Sequence, residues 1–213
     1  MGVVIRTAGE ADREAITELL DKAFHDDPVS AWIFPDESDR HRKHPLLMAA
    51  FLDIVLAEGR VDVTDDGAAC ALWLSMPAHE STPESGSERA SEPGGADAES
   101  DDGPARLREA IDPDNDRLEL VGRATAEVHP EGRAHEYLWL IAVAPERQGE
   151  GLGTALIEAV LDRCDREGLA AYLEASNSRS RALYERLGFT VTDPVVHLPD
   201  GPDMWPMWRD PRA

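Results

Sequence analysis

Lysine is almost missing from this chain. Only Lys22 and Lys43 occur among 213 residues, and every other basic side chain is an arginine. Positive charge is scarce as well: Lys and Arg together number 21 against 43 Asp and Glu, a net charge of -22. Such a surface repels polyanions, which argues against nucleic acid or an anionic membrane as a partner. Cys70 and Cys164 are the two cysteines. They sit far apart on apolar segments and read as buried thiols, not as a disulfide framework or a metal site. No apolar run approaches the roughly 20 residues of a membrane helix. The opening Met1-Gly2-Val3-Val4-Ile5-Arg6 is too short for a signal peptide and runs straight into a helical pattern. These absences predict a cytoplasmic protein with one domain over residues 1–213. Acidity spread along the chain, with lysine nearly absent, further predicts a salty cytoplasm, where screening weakens the self-repulsion.

Val3-Val4-Ile5 is an apolar run expected to open the chain as a strand. Thr7-Ala8-Gly9-Glu10 has capping-box spacing, and Ile16, Leu19, Leu20, Ala23 and Phe24 recur at helical intervals, so the reading is a helix over 9–25 broken at Asp26-Asp27-Pro28. A second helix is expected over about 38–58, with Leu46, Leu47, Ala50, Phe51, Ile54 and Val55 facing inward. Val61–Thr64, Asp65-Asp66-Gly67 and Ala69–Leu74 read as a hairpin. From about 77 to 104 large apolar residues vanish and Glu, Ser, Gly, Ala, Asp and Pro dominate, the composition of a flexible acidic insertion. Residues 105–127 look helical with a break at Asp112-Pro113.

The second half alternates more clearly. Tyr137–Val143 is nearly all apolar, as in a strand buried on both faces. Leu152, Ala155, Leu156, Ala159 and Val160 mark a helix ending near Gly168. Ala170–Glu174 reads as a strand, Ser178–Leu187 as a short helix closed by Gly188, Phe189–Val196 as a strand and Met204–Trp208 as the last one. This order implies an α/β arrangement.

Between the buried strand and its helix lies Gln148-Gly149-Glu150-Gly151-Leu152-Gly153. Glycines let the backbone turn tightly and approach a ligand, and the free N–H groups of a helix start cradle phosphate. Arg147 and Gln148 add side-chain donors. No Gly-Lys-Ser/Thr follows, so this is not a P-loop, and the Gly-x-Gly-x-Gly spacing differs from the Gly-x-Gly-x-x-Gly of dinucleotide sites.

Val143-Ala144-Pro145 followed by Arg147-Gln148-Gly149-Glu150-Gly151-Leu152-Gly153 resembles the acetyl-CoA motif of the GNAT superfamily of N-acetyltransferases. Asn177, then Ala182-Leu183-Tyr184-Glu185-Arg186-Leu187-Gly188-Phe189, is similar to that family's second motif. Over roughly 135–210 the likeness is strongest to the puromycin N-acetyltransferase branch; the acidic insertion is a departure from it.

The resemblance implies a single-domain α/β fold with a central mixed sheet of six or seven strands and helices on both faces, splayed between the strands near 136–143 and 170–175. It implies acetyl-CoA as co-substrate and a primary amine as acceptor, with the protein a monomer or homodimer; a small-molecule amine is expected first, a protein or peptide amine is the alternative, and a non-catalytic acetyl-CoA-binding module is the further one. Ile141, Ala142 and Val143 would line or bond the pantetheine arm; Arg147, Gln148, Gly149, Glu150, Gly151, Leu152, Gly153 and Thr154 would hold the pyrophosphate; Asn177 would bond the CoA arm or cap its helix. Tyr184 is expected to sit beside the sulfur as the acid. The acceptor must lose a proton before it attacks, and Glu136, then Glu174, are the expected bases, with His135 and Tyr137 as further groups able to face the acceptor. Glu136 and His135 cannot both face the cleft, because side chains alternate along a strand. His25, His41, His44, His79, His129 and His197 show no metal-ligand spacing, so no metal site is expected. Trp205 and Trp208 read as packing residues.

Overall fold

The computed structural model describes residues 2–78 and 103–212. The expected acidic insertion at 77–104 therefore lies almost wholly outside the described residues. Among those described, eight strands and seven α-helices alternate: β1 (Ile5–Thr7), α1 (Arg13–Phe24), α2 (Pro28–Ile33), α3 (Glu37–Glu58), β2 (Arg60–Thr64), β3 (Ala69–Met76), α4 (Gly103–Ile111), α5 (Asp116–Val128), β4 (His135–Val143), α6 (Leu152–Glu167), β5 (Ala170–Ala175), α7 (Ser178–Arg186), β6 (Thr190–Val191), β7 (Val196–His197) and β8 (Asp203–Arg209).

The strand order is β1-β2-β3-β4-β5-β8-β6, with β7 paired to β8, and only β4 and β5 run parallel. Eight strands exceed the six or seven expected because the predicted strand 189–196 is two short pieces. Asp193-Pro194 separates β6 from β7, and proline has no N–H to give a ladder.

Two apolar layers cover the sheet. On one face α6 and α7 bury Leu152, Leu156, Ile157 and Val160 against Ala69, Ala71, Trp73, Leu138, Ala171 and Leu173. On the other, α1, α2 and α3 bury Leu20, Trp32, Leu47, Leu52 and Val55 against Val61, Val63, Cys70, Leu72 and Ala142. Both cysteines are buried free thiols, and burial pushes Cys70 up to about 12.

The N-terminal half departs from its expected boundaries. Strand β1 begins at Ile5, two residues late. The capping contact is Gly9 N–H to Asp12 Oδ2 at 3.0 Å, not one from Thr7, which belongs to β1. Asp27-Pro28 does more than end a helix. The Asp27 carboxylate accepts from Val29 N–H at 2.9 Å and Pro28 occupies the first turn, so the pair starts α2 and carries Trp32 and Ile33 inside it. The inner face of α3 is also rotated from the expected one. His44, Leu47, Met48, Leu52 and Val55 are buried, whereas Leu46 is 54% exposed and Ile54 36%. Apolar residues nearly encircle this helix, so packing against α1 chose the stripe that periodicity left open.

The pairing of β3 with β4 is irregular at one point. Leu72 pairs with Leu140 but Trp73 pairs with Leu138, leaving Trp139 without a partner. The extra residue is a β-bulge. Alternation would put Leu138 and Leu140 on one face; instead Leu138 joins the α6 layer and Leu140 packs with the α3 layer.

Candidate active site

The parallel strands β4 and β5 pair only through His135↔Ala170, Glu136↔Ala171 and Tyr137↔Tyr172. Beyond Tyr137 they part. Alternate backbone groups on that edge of β4 thus lack a strand partner and are open to a ligand.

The wedge opens into a cleft of about 380 Å³ lined by Ile141, Val143, Gln148, Gly149, Gly151, Leu152, Gly153, Thr154, Asn177 and Tyr184, and also by Ala23, Arg179, Ser180, Leu183 and Arg186. Its floor is the turn before α6. Gly149 and Gly151 adopt φ of 88° and 84°, and a Cβ on either would meet nothing within 4 Å, so their backbones face open space. Gly151 caps α6 without a side-chain bond, and the first helical bond joins Ala155 N–H to the Gly151 carbonyl at 2.9 Å. The N–H groups of Leu152, Gly153 and Thr154 therefore have no acceptor within the helix. Unpaired N–H groups at a helix start, with the helix dipole behind them, suit an anion.

Three residues expected at the cleft stand apart from its lining. The Ala142 side chain packs into the α3 layer at 1% exposure. Arg147 is held by Glu150 at 2.7 Å and Asp66 at 3.2 Å, so its guanidinium and the Glu150 carboxylate satisfy each other. The cations of the cleft are instead Arg179, which donates to Gln148 Oε1 at 3.0 Å, and Arg186. A helical signal was available for the missed residues of α7: Ser180 shares a face with the expected Asn177 and Tyr184, and Arg179, Leu183 and Arg186 follow one another at the same four- and three-residue steps. Asn177 caps α7, accepting from Ser180 N–H at 2.9 Å, while its amide donates to Asp27 at 3.2 Å. Tyr184 is buried, and burial, helped by the Asp27 carboxylate, raises its phenol above the ordinary range.

The two carboxylates expected as bases go to opposite faces. Glu136 points toward α6, where it accepts from Ser75 at 3.0 Å and pairs with Arg163 at 3.2 Å. That face belongs to the α6 layer, so strand alternation puts Glu136 on the opposite side of the sheet from Tyr137 and His135. Glu174 lies on the other face with Tyr137, Tyr172, His129 and His135. Its Oε2 accepts from the Tyr137 hydroxyl at 2.7 Å, and its Oε1 is buried without a partner. Burial pushes the carboxyl up to about 7 against the pull of the tyrosine hydrogen bonds. His135 Nε2 lies 3.1 Å from His129 Nε2, and desolvation lowers both, His129 to about 4. Trp208 stacks edgewise on His135, and Trp205 lies under Arg181.

The model of the acetyltransferase (GNAT) family matches residues 73–189. The chain belongs to the GNAT acetyltransferase family. It is 32% identical over 200 residues to an uncharacterized N-acetyltransferase of Schizosaccharomyces pombe, covering 86% of this chain and 72% of that one. A mycothiol acetyltransferase of Paenarthrobacter aurescens is 38% identical over 84 residues; the match spans 37% of this chain and 26% of that enzyme. Among solved structures, a histone acetyltransferase HPA2 and related acetyltransferase from Corynebacterium glutamicum superposes with a TM-score of 0.70 at 25% identity, over 100% of this chain and 98% of that one. This GNAT protein is therefore an enzyme of acetyl-CoA-dependent acetyl transfer. No helix among the described residues is long and apolar enough to cross a membrane.

Proposed function

We propose that this acetyltransferase moves the acetyl group of acetyl-CoA to a primary amine of a small molecule, by direct attack in a ternary complex. The observation that carries this reading is the cleft at the β4–β5 split, floored by the unpaired N–H groups that start α6, with Glu174 set where the two strands part. The N–H groups of residues 152–154, with Arg179 and Arg186, hold the CoA phosphates. The open edge of β4 around Ile141 and Val143 takes the pantetheine amides.

Glu174 is the general base. One oxygen is held by Tyr137; the other is buried without a partner and takes the amine proton when an acceptor fills the split. The neutral amine then attacks the thioester carbon, the C–S bond breaks, and the departing thiolate meets the Tyr184 hydroxyl, which burial keeps protonated. Asn177 orders the helix that presents Tyr184.

A small acceptor is supported by the wall around Glu174: Tyr137, Tyr172 and His135 are each at most 9% exposed, a closed aromatic surface rather than a trough for a polypeptide. The similarity to enzymes named for mycothiol points the same way; the Corynebacterium protein, named for histones, favours a protein amine as the second reading. The puromycin-like C-terminal half does not extend to the N-terminal elements that shape the acceptor side, so puromycin is not assigned. The charge of -22 supports work in a salty cytoplasm.

The test is calorimetric titration of acetyl-CoA into wild type and Gly151→Trp in high potassium chloride. Micromolar-range binding lost in the variant supports the cradle, and an amine library read by thiol release then ranks small amines against peptides. A folded wild type that does not bind overturns the reading.

A further inference from the structure

The end of α1 and the middle of α3 bring together groups that neither helix could assemble alone. Asp21 and His25 lie one turn apart at the end of α1; His41 and His44 lie one turn apart on α3. His44 is fully buried, with Nδ1 2.7 Å from Asp21 Oδ1. His25 Nδ1 is 4.0 Å from the same oxygen. One ligand atom from each of Asp21, His25 and His44 lies within 4.8 Å of the other two. Histidine spacing along the chain predicts no metal site; the helix contact brings in His44 from a second helix, which such spacing does not register.

A buried histidine held by a carboxylate can be a core group with its hydrogen bonds met. Two features go beyond that. His25 Nε2 is buried without any partner, an orphaned polar atom of the kind that calls for a missing ligand. His44 Nε2 sits 3.0 Å from Ser30 Oγ, so once Nδ1 gives up the proton it shares with Asp21, a proton on Nε2 bonded to Ser30 leaves the Nδ1 lone pair for an ion. This is the outer-shell arrangement that orients metal-ligating histidines. The His41 ring is exposed and 4.4 Å from the His25 ring, with its Nδ1 2.8 Å from the Glu37 carbonyl oxygen.

We propose that Asp21, His25 and His44 form a binding site for a first-row transition-metal dication, zinc by preference, with a water or His41 as fourth ligand. Two imidazoles and one carboxylate suit zinc in tetrahedral geometry, whereas magnesium and calcium take oxygen ligands. The ion displaces the proton shared by His44 and Asp21, and ties α1 to α3. The consequence reaches the cleft through short connections. Ala23, two residues from Asp21, lines the cleft, and Asp27 accepts from Ser176 at 2.6 Å and from Asn177 at 3.2 Å. The ion therefore fixes the helix end against which the CoA wall is built, and does so apart from the groups that move the acetyl.

The experiment uses the full chain, stripped with a chelator and exchanged into chelator-free buffer with high potassium chloride, which suppresses loose binding to surface carboxylates. Zinc is titrated by calorimetry and cobalt by its visible absorption. Wild type takes up one zinc per chain, gives tetrahedral-type cobalt bands, and melts about 5–10 °C higher at free zinc a hundredfold above Kd. His25→Ala and Asp21→Asn, both at partly exposed positions, each lose at least tenfold in zinc affinity. His197→Ala, far along the chain on β7, binds as wild type. No uptake by a folded wild type overturns the proposal, as does affinity held within threefold in either site variant or lost equally in His197→Ala.

Discussion

The Tyr137 hydroxyl donates to Glu174 Oε2 at 2.7 Å, from β4 to β5, at the point where the two strands stop pairing. Tyr137↔Tyr172 is the last parallel pair, and Glu174 lies two residues further along β5. The bond closes the narrow end of the wedge and holds one carboxyl oxygen in place. It also sets a carboxyl raised to about 7 beside the split.

As the proposed base, that carboxyl predicts a rate that depends on pH. With Glu174 pushed to about 7, kcat/KM rises roughly tenfold per pH unit below that value and levels above it. Glu174→Gln lowers the plateau about 10²–10⁴-fold and removes the slope. Stability moves the other way. A carboxyl raised above its unfolded value near 4.3 contributes stability below that pH and loses it as pH rises through about 7. Glu174→Gln is therefore more stable than wild type at pH 8 and not at pH 4, as urea unfolding would show. A flat rate profile in wild type rejects the base.

Tyr184→Phe separates chemistry from binding. The hydroxyl is buried and its phenol raised, so it stays protonated at neutral pH. Its removal lowers kcat about 10²-fold and leaves acetyl-CoA affinity within a few-fold. Steady-state kinetics alongside calorimetry decide it; an unchanged kcat excludes Tyr184 from the proton path.

The far side of α6 carries a stability prediction. Arg209 is 3% exposed and makes two bonds to Asp165, at 2.8 and 2.7 Å. Asp165→Asn leaves that guanidinium without its counter-charge and costs about 3 kcal/mol in urea unfolding at pH 7. The Arg209 bonds hold the Asp165 carboxyl down at about 2, below its unfolded value near 3.9. Its contribution is present above pH 4 and fades as pH falls toward 2, so wild type and variant converge there. A cost below about 0.5 kcal/mol would class the pair with ordinary surface bridges.

Net charge predicts the response to salt. At -22, repulsion is long-ranged at about 0.1 M, where the screening length is roughly 10 Å, and short at about 1 M, where it is roughly 3 Å. The melting temperature rises between these conditions in potassium chloride. A falling one would mean that ion pairs such as Arg13–Asp53, at 2.6 Å, outweigh self-repulsion.

The sequence by itself determined the C-terminal half: β4, the glycine turn, α6, β5 and α7 lie where apolar runs and glycines place them, since each element is specified by local periodicity and by backbone angles that glycine alone takes readily. Gly149 and Gly151 were legible for the same reason, whereas Tyr184 was marked by the likeness of its helix to the family's second motif. Only the tertiary structure decided what depended on faces and partners. A bulge at Trp139 split Leu138 from Leu140, and alternation sent Glu136 to Arg163 and left Glu174 with Tyr137. Arg147 has the chain position of a phosphate ligand, yet Asp66, 81 residues away, lies beside it and takes up its charge. The inner stripe of α3 and the meeting of His44 with Asp21 were likewise set by helix packing, because a contact between distant segments depends on crossing geometry that no local pattern encodes.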